Sequence, residues 1–289
     1  ASMLNIEAWE GFAENLGVVS VEDSENGINQ ETLSQLDAKE IFLTGTTDKT
    51  VITAKNIYTQ MPPASITKIL TALVALETVQ DLDQEVTLTD DVNVDVADAQ
   101  VCGFKAGDKM TLKTLLYCML IYSGNDAANA IADHIAGSTD AFVEKMNAKA
   151  KELGATHTHF VNANGLHSTD HYTTAYDLYL IFNEALKLPL FCEIINAQSY
   201  TADYTDANGA AKQQVWKVGN WYLKGDREAP EGVTVLGGKT GTTQAAGYCL
   251  IMASGGDDGK EYISVVLKSA NRPSLYDNMT EILTKISNK

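Results

Sequence analysis

No run of apolar residues in this 289-residue chain is long enough to cross a bilayer as a helix; the densest, Leu115 to Ile121, reads as buried helix. Basic residues are scarce, 21 against 38 acids, and the formal net charge of −17 argues against binding a phosphate backbone. Cys102, Cys118, Cys192 and Cys249 are scattered, with no C-x-x-C pair and no metal-ligand spacing. Cys118 and Cys249 lie in apolar surroundings, which suit buried free thiols. No secretory leader opens at Ala1, so export cannot be read from this terminus. Internal repeats and low-complexity tracts are also missing. What remains is an ordinary globular composition, 45% hydrophobic and 20% charged, enough for one large domain or two closely packed lobes.

The chain is organised around Pro62-Pro63-Ala64-Ser65-Ile66-Thr67-Lys68. The two prolines stop any helix arriving from upstream. Ile66, Ile69, Leu70, Leu73 and Val74 then form an apolar stripe at helical spacing, predicting a largely buried helix to about Val79. Ser65 falls at its first turn, with Lys68 on the same face one turn on. A serine hydroxyl needs a neighbouring base to become a nucleophile. A lysine can be that base once desolvation lowers its pKa from about 10.4 towards neutrality. The plainer alternative makes Ser65 a helix cap and Lys68 a solvated helix residue.

Upstream, residues 1–37 read as an acidic, turn-rich lead-in whose spacing allows a short helix from Leu4 to Leu16, ended by Gly17. Glu40 to Thr44 and Val51 to Asn56 read as a hairpin. After the Ser65 helix, Asp81 to Asp108 is acidic and irregular, a solvated face. Helices are predicted from Thr111 to about Leu120, Asp126 to Ala136, Ala141 to Leu153, and Ala175 to Leu186, the last stopping before Pro189. Ser199 to Tyr204 and Gln213 to Val218 flank Asn208-Gly209 as a second hairpin. Strands follow at Val233 to Thr240, Tyr248 to Ala253 and Tyr262 to Lys268, and a helix from Ser274 to Ile286 closes the chain. This order predicts an α+β fold: a mainly antiparallel sheet built from both chain ends and flanked by helices, with a helical lobe inserted at about 80–190.

Two further polar clusters stand where elements end. Ser123-Gly124-Asn125 occupies a turn between two apolar helices, and Ser24-Glu25-Asn26 shows how easily that pattern arises as a plain turn. Lys239-Thr240-Gly241 ends an apolar strand, where a lysine can simply guard a sheet edge. In this order, however, S-x-x-K, S-x-N and K-T-G resemble the combination characteristic of penicillin-binding proteins and class A β-lactamases, with S-G-N here where that pattern has S-D-N. Met61 to Glu77, Ser123 to Ala127, Phe160-Val-Asn162-Ala-Asn-Gly-Leu166 and Gly238 to Thr242 resemble the serine D-alanyl-D-alanine carboxypeptidases, the low-molecular-mass penicillin-binding proteins. The likeness runs from about residue 38 to the end, implying a catalytic domain at 38–289.

That resemblance implies a β-lactamase/transpeptidase-like fold, no cofactor and no metal. Its implied partners are a peptidoglycan stem peptide ending in D-Ala-D-Ala and β-lactams as covalent inhibitors. Ser65 would attack the carbonyl between the terminal D-alanines, Lys68 would take its proton, and Ser123 would relay a proton to the leaving amine. Asn125 would hold the substrate backbone and Lys68, while Lys239 supplies positive potential. Thr240, Gly241 and Thr242 would line the substrate, with Ser65 and Thr242 backbone N–H groups as the oxyanion hole. The family often binds the terminal carboxylate with an arginine after the last strand; Arg272 is the one arginine there, with Ser274 or Leu275 as other occupants of the matching place. The expected location is extracytoplasmic, with membrane association only through segments outside this chain.

Three alternatives stand beside this reading. A class A β-lactamase needs a glutamate in an E-x-x-x-N pattern some forty residues after the S-x-N element, and residues 155–169 contain no acid. A non-catalytic β-lactam sensor would have no need of the full polar set. His157-Thr-His159 resembles a metal pair, yet His134, His167 and His171 supply no recognisable third ligand, so structural or surface roles are expected.

Overall fold

The computed structural model of the chain describes residues 30–287. The helix expected between Leu4 and Leu16 lies outside them. A short helix α1 (Gln30–Gln35) precedes the first hairpin, β1 (Glu40–Gly45) and β2 (Val51–Lys55). Lys55 donates to the carbonyls of Leu33, Leu36 and Ala38, so the last turn of α1 is closed by a cation from the sheet.

After Pro62-Pro63, a 3-10 turn at Ala64–Ile66 leads straight into α2 (Thr67–Thr78). Two three-residue strands, β3 (Glu85–Thr87) and β4 (Lys109–Thr111), bracket the acidic stretch. Then come α3 (Leu112–Ile121), α4 (Asn125–Ala136), α5 (Thr139–Glu152) and α6 (Ala175–Ala185). Their starts are fixed locally: the side chains of Thr111, Ser138 and Thr174 accept from backbone N–H groups of the first turns of α3, α5 and α6.

Pro189, expected only to end a helix, also begins one: α7 (Pro189–Asn196), with the proline at a position where no N–H is needed. The second hairpin is β5 (Ser199–Thr205) and β6 (Ala211–Lys217), followed by the short α8 (Trp221–Lys224). The chain closes with β7 (Val233–Thr243), β8 (Gly247–Gly256), β9 (Glu261–Ser269) and α9 (Arg272–Ser287).

The main sheet is antiparallel in the order β2-β1-β9-β8-β7, so strands from both chain ends meet at β1 and β9. One face packs under α9 and α1, through Leu33, Leu43, Met252, Tyr276 and Met279. The other face meets the helical lobe, with α2 and α4 in one continuous apolar core. The hairpin β5–β6 does not join this sheet. It pairs with β4 in a second, four-stranded sheet, β3-β4-β5-β6, through Lys109 and Thr205. This leaves β7 as the outer strand of the main sheet, unpaired on one side and packed there against α7 and the Ser65 turn.

Candidate active site

Ser65 sits in the 3-10 turn just before α2, and Ala64 ahead of it adopts φ 52°, a left-handed conformation that is strained for alanine. The strain is held from outside. Gly165 has φ +95°, and a Cβ there would lie 2.0 Å from the Ala64 carbonyl oxygen, so only glycine lets the 162–166 loop support this turn. That loop is knit by its own asparagines: Asn162 Oδ1 accepts from the Gly165 N–H and Asn164 Oδ1 from the Leu166 N–H. It lies along α2, where the Thr71 hydroxyl donates to the Ala163 carbonyl.

Lys68 is fully buried. Its Nζ lies 2.8 Å from Ser65 Oγ, 2.8 Å from Asn125 Oδ1 and 2.8 Å from the Asn164 carbonyl oxygen. Burial first, and then the neighbouring Lys239 amine, hold Lys68 well below the usual lysine range. A neutral amine has two N–H donors and one lone pair. The two carbonyl oxygens accept the N–H groups, which leaves the lone pair directed at the Ser65 hydroxyl. The burial that lowers the amine's pKa therefore also aims it.

A second pair faces this one. Lys239, on β7, donates to Ser123 Oγ at 3.0 Å and to the Thr240 carbonyl at 2.7 Å. It is also nearly fully buried, and burial lowers its pKa to about 7. Ser123 itself has φ 64°, so the turn between α3 and α4 presents its hydroxyl from a left-handed residue. Gly124 then caps α4, and Asn125 opens it.

Ser65, Ser123, Asn125, Thr240, Gly241, Thr242 and Arg272 all line one open cleft of about 860 Å³. At Gly241 a Cβ would stand 3.0 Å from the Ser65 nitrogen and 3.1 Å from the Ile66 nitrogen, so the edge of β7 runs hard against the serine turn. Arg272 opens α9, with its guanidinium 6.0 Å from the centre of the Tyr248 ring. Leu275 lines the cleft as well, whereas Ser274 caps locally with Asn271.

Several contributors escape sequence reasoning. Asn164 reaches Lys68 through its main-chain carbonyl, which no residue type announces. The opposite wall of the cleft comes from Val96 to Gln100, inside a stretch whose acids suggest only a solvated face. His171 is buried: Val161 N–H donates to its Nδ1, so the proton sits on Nε2 and is offered to Thr67 Oγ1 at 2.8 Å. It anchors the first residue of α2, and burial lowers its pKa to about 4. His159 Nδ1 meets the Asp170 carbonyl, His134 meets Gln84, and His157 donates its backbone N–H to Asp177. Among the described residues, no three His, Cys, Asp or Glu side chains converge as a metal site. All four cysteines are free thiols, Cys102, Cys118 and Cys249 being buried.

The family model described as D-alanyl-D-alanine carboxypeptidase, peptidase S11, matches residues 26–271. Among curated proteins, the chain is 34% identical over 239 residues to the D-alanyl-D-alanine carboxypeptidase DacF of Bacillus subtilis, covering 81% of this chain and 58% of DacF. It is 40% identical over 187 residues to DacB2 of Mycobacterium tuberculosis, covering 64% of this chain and 59% of that protein. Against the D-alanyl-D-alanine carboxypeptidase of Streptomyces sp. K15 it is 33% identical over 245 residues, 81% of each chain. The chain thus spans just under three fifths of the first two relatives. The crystal structure of the Streptomyces K15 DD-transpeptidase superposes with a TM-score of 0.80 at 31% identity, over 87% of this chain and 97% of that one. A motif order, a serine at the cleft paired with a buried lysine, a fold and a family model all agree, and the chain belongs to the peptidase S11 family of D-alanyl-D-alanine carboxypeptidases.

Proposed function

We propose that the chain is a serine D,D-carboxypeptidase that removes the terminal D-alanine of peptidoglycan stem peptides through a Ser65 acyl-enzyme. The observation that carries this reading is the 2.8 Å contact between Ser65 Oγ and an amine whose pKa complete burial holds well below the usual lysine range. Lys68 takes the serine proton as Oγ adds to the penultimate D-alanine carbonyl. The oxyanion is received by the backbone N–H groups of Ser65 and Thr242, on the two elements that Gly241 lets touch; one such donor is typically worth about 3 kcal/mol of barrier. The proton then passes by Ser123, held by Lys239, to the nitrogen of the leaving D-alanine as the C–N bond breaks. Water hydrolyses the resulting ester and restores Ser65.

Asn125 orients Lys68 and contacts the peptide backbone, which lies along the unpaired edge of β7. Thr240, Thr242 and Arg272 receive the terminal carboxylate, with Gly241 keeping the strand close. The same Ser65 opens the β-lactam ring of a penicillin, making such drugs covalent inhibitors. The cleft gives this adduct little help to leave. Among the described residues Asp98 is the only carboxylate lining it, and the loop beside Lys68 presents the Asn164 carbonyl rather than an acid. That favours a slowly released adduct over a class A β-lactamase, and the intact polar set favours turnover over a passive sensor.

We take 38–289 as the catalytic unit, with 1–37 as a lead-in that docks its last residues through Lys55. An extracytoplasmic setting follows from the proposed substrate; among the described residues no helix is long and apolar enough to cross a membrane. The test is release of D-alanine from a synthetic pentapeptide ending in D-Ala-D-Ala. Stoichiometric and continuing release by the wild type, absent in Ser65→Ala, is the expected result. Ring opening of penicillin at many turnovers per minute with no D-alanine release would overturn the proposal in favour of a β-lactamase.

A further inference from the structure

Asp126 follows Asn125 in the first turn of α4 and is 1% exposed. An acid there suits a helix N-terminus, but only one of its bonds goes to its own helix, from the Ala127 N–H to Oδ1 at 3.0 Å. The other three go to the segment that directly follows the Val96–Gln100 wall of the cleft. Oδ1 accepts from the Cys102 N–H at 2.9 Å, and Oδ2 from the Gly103 and Phe104 N–H groups at 3.0 Å each. Three consecutive amides curl around one carboxylate, a nest of the kind that binds anions. Gly103 makes the curl with φ +86°.

Two neighbouring contacts tie the same pieces together. Asn125 donates its N–H to the Gln100 carbonyl at 2.9 Å. The Cys102 sulfur lies so close to Gly124 that a Cβ there would stand 2.5 Å from it. The segment held in this way carries Val96 to Gln100 into the cleft.

We propose that Asp126 is a positioning residue for acylation: its carboxylate clamps the 96–104 wall onto the Ser123–Asn125 turn, fixing both the Asn125 amide that meets Lys68 and the width of the cleft. This rests on the function proposed above. The clamp also places a negative charge near the base. The charged or titratable groups around Lys68 are Lys239 from β7, Cys102 from the wall and Asp126 from α4; Asp126 opposes the lowering of its pKa, while the Cys118 thiol and burial push the Cys102 thiol up and keep it uncharged. Removing the Asp126 charge therefore moves Lys68 further down, and the rising limb of acylation against pH moves to lower pH. A purely structural role would slow acylation without moving that limb.

The experiment measures acylation by a fluorescent penicillin from about pH 5 to 10 for wild type, Asp126→Asn and Gly103→Ala, alongside thermal unfolding. Asp126→Asn is expected to acylate about tenfold or more slowly while still folded, with its limb displaced to lower pH. A folded Asp126→Asn with wild-type rate and limb would overturn the clamp. If Asp126→Asn does not fold, Gly103→Ala decides: its side chain would face open space but its backbone would resist the curl, so slowed acylation supports the clamp and an unchanged rate removes it. Wild-type protein that takes no label would instead overturn the function itself, leaving the two failures distinct.

Discussion

Lys68, Asn125 and Asn164 are almost wholly buried beside the cleft, and each is hydrogen-bonded. Beneath α9 the hydroxyls of Thr53, Ser254 and Ser264 are equally buried, yet among the described residues they have no partner. These three point into the apolar layer, since Thr53 and Ser264 both pair with Leu43, and Ser254 with Tyr262. Glu40, at the start of β1, also keeps one oxygen without a partner among the described residues. An unsatisfied buried group costs about 1–3 kcal/mol, and replacing it by an apolar group of similar shape can be neutral or stabilising. Polar burial around Lys68 is thus organised for chemistry, although Trp216 Nε1, stacked on the cleft-lining Tyr122, is also without a partner among the described residues. Behind the sheet it is a cost the fold tolerates.

Substitutions sharpen this contrast, the largest effects falling on the cleft. Lys68→Ala should reduce acylation by about 10²–10⁴-fold, the usual range for a general base, in a stopped-flow assay with a chromogenic β-lactam. A loss under about tenfold would show that the neutral amine is not the base. Gly165→Ala comes next. It forces a Cβ towards the Ala64 carbonyl at a positive φ, a strain of about 1–3 kcal/mol, and should lower both denaturant stability and acylation. Stability lost with acylation intact would mean that the 162–166 loop does not hold the serine turn.

His171 gives a smaller effect with a defined pH sign. Its folded pKa of about 4 lies below the ordinary 6.5, so the unfolded chain binds the extra proton between these values. Stability from this residue is complete above about 6.5 and lost as pH falls towards 4; in His171→Gln that part of the slope should vanish in urea titrations. Glu40 runs the other way. Burial raises its pKa from 4.5 to about 7, so its contribution is present below 4.5 and lost as pH rises through 7. Glu40→Gln should flatten that slope and leave the protein no less stable at pH 8. Ser264→Ala, the mildest change, should be neutral or slightly stabilising in thermal melts; a clear loss would place a partner on that hydroxyl and weaken the contrast between the two regions.

The sequence makes the main sheet legible because β1, β2, β7, β8 and β9 are apolar runs bounded by strong turn signals. Its buried helices show their period, and all five anticipated after Asp108 fall within two residues of expectation at each end. The second sheet was not legible: β3 and β4 are three residues each, and their link to β5 is the single pair Lys109–Thr205, set by packing rather than pattern. Helix α7 hid behind Pro189, which reads equally as a stop or a start. At the site, Ser65, Lys68, Ser123, Asn125 and Lys239 could be named because side-chain chemistry at fixed spacing leaves a trace. The Asn164 carbonyl, the Asp126 nest and the 96–100 wall leave none, since they act through backbone atoms brought together only by the fold.

Intact-mass spectrometry of wild type and Ser65→Ala incubated with benzylpenicillin, followed over hours and mapped by peptide digestion, tests the central claim most directly. A single adduct on the Ser65 peptide of the wild type, persisting while the drug remains and absent from Ser65→Ala, is the expected result. An adduct on another residue, or none at all, would contradict the assignment of Ser65 and Lys68 as nucleophile and base.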